Sequence, residues 1–145
     1  MKKVLILLFC SLAFVQCKNA SNESSEEQST ASQQEEIYKQ VIALHDEAMP
    51  KLGSVADLMQ KIEAKIGELE QSKSDTIMLT TLREELIALN EADEAMMNWM
   101  RSFEANYDGW AEDSVITYLQ DQKLKMFEIN QEITTAIDQA SLLIE

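Results

Sequence analysis

The stretch EEIYKQVIALHDEAMPKLGSVADLMQKIEAKIGELE, residues 35–70, decides the fold. Ile37, Val41, Leu44, Ala48, Leu52, Val55, Met59, Ile62, Ile66 and Leu69 recur every third or fourth residue, which sets one apolar stripe on a helix. Such a stripe has to be covered by others. Two more follow: Leu79, Leu82, Leu86, Leu89, Met96, Met100 and Phe103, then Ile116, Leu119, Met126, Ile133, Ile137, Ala140 and Ile144. Polar residues separate them where helices should stop. Ser74 or Asp75 can cap the second helix, Asn106-Tyr107-Asp108-Gly109 is the strongest turn signal, and Asp113 or Ser114 can cap the third. The pattern predicts an all-α, coiled-coil-like domain over 35–145, with helices near 35–70, 75–104 and 113–144. Short connections make neighbours antiparallel, so the expectation is an up-down-up three-helix bundle. Pro50 removes an amide donor and pushes against the carbonyl of Asp46, while the stripe passes through it in phase, so the first helix is expected to kink there.

Outside this region the chain changes character. Lys2 and Lys3 precede an uncharged apolar run, Val4 to Val15. It is too short for a membrane span, which takes about 20 residues, and suits a signal peptide over residues 1–16. The Phe14-Val15-Gln16-Cys17 sequence resembles a bacterial lipobox, in which Cys17 would be acylated and become the mature N-terminus. Gln16 and Phe14 depart from its commonest residues, as lipoproteins of Bacteroidetes do. Residues 18–34, KNASNESSEEQSTASQQ, contain no large apolar side chain and are expected to form, with Cys17, a disordered tether over 17–34. Glu23, Glu26 and Glu27 resemble the acidic export signals of surface lipoproteins in that phylum.

Composition narrows function mainly by exclusion. A formal charge of −14 without a basic cluster disfavours nucleic acid, whose phosphates bind gathered Lys and Arg. It disfavours anionic lipid headgroups as partners of the folded part for the same reason. Both cysteines, Cys10 and Cys17, precede the helical region, so no disulfide can staple it. There is one histidine and no CxxC, HExxH, GxSxG or Walker-type loop, and the chain reads as a non-enzyme.

One constellation carries ligand-type chemistry. Folding the first two helices about residue 72 brings His45 opposite Trp99, and Ala48 and Met49 opposite Met96 and Ala95. His45, Met49, Met96, Trp99 and Met100 would then converge beside the kink. Imidazole and thioether are ligands of copper(I) and of haem iron. Methionine is equally a filler of irregular core gaps, and that packing reading is preferred. Accordingly no cofactor is assigned. Asp93, Lys123 and Asn130 intrude on the stripes as polar residues that can fix register; Ala92 can take the core position that Asp93 would otherwise occupy.

The segments YKQVIALHDEAMPKLG (Tyr38 to Gly53) and MMNWM (Met96 to Met100) resemble those of small lipoproteins of Bacteroidetes, chiefly Flavobacteria, that carry the label "viral A-type inclusion protein". The resemblance runs from the signal through the third helix. It implies export and a helical, coiled-coil-like sequence, and brings no activity with it. The expectation is therefore a non-catalytic lipoprotein of the cell envelope, held at the outer membrane through Cys17 and acting as a protein-interaction or structural module. The competing reading is a copper or haem carrier.

Overall fold

The computed structural model describes residues 20–73 and 75–144, with side chains from Thr30 onward. The signal-peptide and Cys17 readings, and Ser74 as a cap, fall outside them. The described chain is helical: α1 (Ala20–Ala48), α2 (Lys51–Ser72), α3 (Thr76–Ser102) and α4 (Glu112–Ile144), with no strand among the described residues. Three helical segments, α1 with α2, α3 and α4, pack together, and α4 touches each of the others.

The interruption at Met49 and Pro50 follows from one missing donor. The Met49 amide still bonds to the His45 carbonyl at 2.9 Å, and Leu52 resumes with a bond to the Met49 carbonyl at 3.2 Å. Pro50 itself sits at φ −62°, ψ −26°, within the helical region, so the ladder breaks while the backbone stays near helical geometry. Both sides of the break contact α4. Glu47, before it, accepts from Asn130 Nδ2 at 3.0 Å, and Lys51, after it, donates to Asn130 Oδ1 at 2.6 Å and Thr134 Oγ1 at 3.1 Å.

Two expectations are corrected. Residues 20–34, expected as disordered tether, are the first turns of α1. A helix already nucleated by packing extends at little cost through Ala, Glu, Gln and Ser, and α4 gives this extension something to touch. Thr30 donates to the Glu112 carboxylate at 2.5 Å, and Gln34 Nε2 donates to the Glu112 carbonyl at 3.3 Å. Neither Asp113 nor Ser114 caps α4; the Ser114 and Val115 amides bond to the Ala111 carbonyl, so the helix starts earlier. Asp75 behaves as expected, its side chain accepting from the Met78 amide at 3.0 Å. The longer connection is closed by Asn106, whose side chain accepts from the Asp108 amide at 2.9 Å, and by Gly109 at φ +80°, which a side chain would strain.

The core lies between the helices, and its fully buried large side chains come from all of them: Val41, Val55, Ile62, Leu82, Leu89, Met96, Leu119, Met126 and Ile133. Several expected stripe members, including Leu44, Leu52, Met59 and Leu86, are half-buried at its margin. Ala92 is buried and Asp93 lies at the rim, half-buried, so the helix turns its small residue inward.

Candidate functional site

The register of the first two stripes places His45 and Trp99 together. Their ring centroids are 5.6 Å apart, and His45 Nδ1 lies 3.0 Å from Asp46 Oδ1. Trp99 is buried and stacks on Phe103 at 4.8 Å. Its indole Nε1–H donates to Gln122 Oε1 at 3.0 Å, which satisfies a polar atom that burial would otherwise leave stranded. Met96 is fully buried and Met100 half-buried against the core. Met49 is not part of that core. It is 37% exposed, because the turn at Pro50 carries it to the surface. Around His45 the chemistry on view is a tilted ring contact with Trp99 and a carboxylate hydrogen bond. Among the described residues no group of three or more His, Cys, Asp and Glu side chains is placed to hold a metal ion.

Gln122 escaped the sequence reading, although it falls between Leu119 and Met126 at helical spacing. A glutamine inside an apolar stripe, on a chain with a core tryptophan, was the available signal. Lys123, the expected intrusion, is exposed and donates to Gln40 Oε1 at 2.6 Å. Asn130 is buried and joins α4 to both sides of the Pro50 break through Glu47 and Lys51. The Asn130 hydrogen bond, reinforced by the Lys51 charge, lowers the Glu47 carboxyl below its ordinary range.

A run of rings continues from Trp99 and Phe103 to the α3–α4 connection. Phe103 lies 6.1 Å from Tyr118, Tyr118 5.4 Å from Trp110, and Tyr107 5.9 Å from Trp110. Tyr118 also accepts the Glu104 amide at 2.6 Å, fastening the connection to α4. The Tyr107 hydroxyl is buried without a protein partner, and burial pushes its pKa up to about 12.

Glu85 on α3 has the same difficulty in a charged group. Its Oε1 is buried without a protein partner, and desolvation raises its pKa. A raised carboxyl pKa in the folded state favours folding at low pH and costs stability as pH rises. Glu85→Gln should therefore stabilise the protein at neutral pH, by about 1 kcal/mol or less since the group is only half-buried. The gain should fade as pH falls toward 4.5, the ordinary value. Paired melting curves across that range check both sign and trend.

The remaining feature is a groove on the outer side of the α1–α4 pair. Ala43 and Leu44 form one wall and Leu124 and Phe127 the other, with Gln40, Glu47, Gln120 and Lys123 at its edges. It encloses about 640 Å³ and is mainly apolar. Leu124 is 56% and Phe127 49% exposed, which for large side chains side by side on a highly charged surface needs a reason. Both lie off the Leu119, Met126, Ile133 stripe, so periodicity passes over them. No protein-family model, curated protein or solved structure matches the chain.

Proposed function

We propose that this chain is a non-catalytic envelope lipoprotein, anchored at the outer membrane through Cys17, whose bundle docks another protein. The α1–α4 groove carries the reading. Leu124 and Phe127 are large apolar side chains left half in water beside Leu44, where a partner surface would remove them from solvent. An up-down-up bundle suits docking, because its first helix, α1 and α2 together, kinks at Pro50 and is held to α4 by Asn130 on both sides of the kink. Two helices fastened in this way present a firm surface to a partner. Chemical crosslinking of the native protein in its own membranes should yield one dominant envelope partner, and Phe127→Gln should remove that product while leaving helicity unchanged. An unaltered crosslinking pattern would sink the proposal.

The anchor is tested separately. Acyl chains stabilise membrane attachment by about 0.8 kcal/mol per buried methylene, so a multiply acylated cysteine holds a protein firmly. Cys17→Ser should abolish palmitate labelling and release the protein from the membrane fraction. Continued labelling would point to Cys10.

A further inference from the structure

The geometry points to a basic, amphipathic α-helix as the occupant of the α1–α4 groove, an inference that rests on the docking role proposed above and names the chemistry of the partner. The walls are two helices, and the segments lining them, Gln40 to Glu47 and Gln120 to Phe127, each span about 10 Å at 1.5 Å per residue. That length offers a guest helix two turns, enough for apolar side chains at i, i+3 or i+4, and i+7 to reach Leu44, Leu124 and Phe127. Ala43 leaves the α1 wall low, so a guest helix can approach closely there. An extended strand would find nothing to pair with, because the backbone of both walls is committed to helical hydrogen bonds. The groove thus lacks one helix.

Charge selects which helix. Glu36 flanks the α1 wall one turn before Gln40, and Glu128 lies one turn beyond Leu124, both exposed; Glu47, one turn after Ala43, is exposed too but shares its charge with Lys51 at 3.5 Å. Among the described residues Lys123 is the one cation lining the groove, and its ammonium is already bonded to Gln40. The whole chain has 26 acidic residues against 12 basic ones. A second copy, with the same charge of −14, would be repelled on approach, whereas Lys and Arg flanking an apolar stripe would be drawn in.

The test titrates the full chain with three synthetic peptides of about 18 residues, long enough to exceed the groove. The first has leucines at helical spacing with lysines elsewhere; the second keeps the leucines and replaces lysine by glutamate; the third keeps the lysines and replaces leucine by serine. The ¹³C-methyl signals of Leu44 and Leu124 report groove occupancy. The lysine–leucine peptide should shift both signals and bind at least about tenfold tighter than the other two. Phe127→Gln and Leu124→Gln, both at exposed positions, should each weaken it by about tenfold without altering helicity or melting temperature. Equal binding of the glutamate–leucine peptide would overturn the basic partner and leave the docking role standing. Equal binding of the lysine–serine peptide, or indifference to Phe127→Gln, would reduce the interaction to surface charge and overturn it. Failure of every peptide to move the methyl signals would count against the groove as a docking site altogether. A dimer in sedimentation that Phe127→Gln dissolves would replace the basic helix with a second copy.

Discussion

Leu89→Asp is expected to lower the unfolding free energy by about 4–5 kcal/mol or more, close to the whole stability of a small domain. Leu89 is on α3, which packs on both α2 and α4, and its side chain is 0% exposed. The substitution removes a full complement of core contacts and puts a carboxylate among apolar side chains. With no disulfide available to the helical region, packing alone resists the change. Urea unfolding followed by circular dichroism gives the number, and Ile87→Asp, two residues away and 57% exposed, is the control that should move little. Leu86→Asp should fall between them, because Leu86 is half-buried at the core margin. A Leu89→Asp protein as stable as the parent would refute the packing described for α3.

Trp99→Ala should cost about 3–5 kcal/mol, the range for deleting a large buried aromatic side chain. Trp99 is 6% exposed and contacts the rings of both His45 and Phe103, so its loss opens a void between α3, α1 and α4 that those neighbours fill only in part. Trp99→Phe separates the hydrogen bond from the bulk. It leaves Gln122 Oε1 buried without its donor, at a cost of about 1–3 kcal/mol, and adding Gln122→Leu should recover part of that loss. His45→Gln should cost less than about 1 kcal/mol, since the imidazole is at the margin, with its side chain 21% exposed. The same variant distinguishes packing from ligand carriage. Bound copper(I) or haem would raise the melting temperature by mass action, and a rise that His45→Gln abolishes would establish the carrier reading.

The helical segments and most of their boundaries were legible because they depend on local information. A stripe at 3-and-4 spacing declares a helix whatever it packs against, Pro50 lacks its amide donor in any fold, and Asp75 caps α3 through a bond three residues long. The His45–Trp99 pairing was legible too, because a short polar turn leaves a hairpin little freedom of register. Met49, expected beside them, lies at the surface, because the chain makes a turn at Met49 and Pro50 where a kinked but continuous helix was expected. The start of α1 at Ala20 was missed because composition reports how strongly a segment folds alone, whereas Thr30 and Gln34 have Glu112 beside them.

Residue order was enough to specify an acidic, all-helical domain without disulfides, with an irregularity at Pro50 and a tryptophan in its core. These properties follow from spacing, charge and the covalent chemistry of proline, none of which needs a neighbour. Which polar residues are buried, and which apolar ones are not, was settled by the way the helices pack. Gln122 is inside because Trp99 lies opposite, Asn130 because Glu47 and Lys51 meet it across the break, and Phe127 is outside because no described helix covers that side of α1 and α4. The free energy of a polar or apolar side chain depends on what faces it, and helix packing sets that.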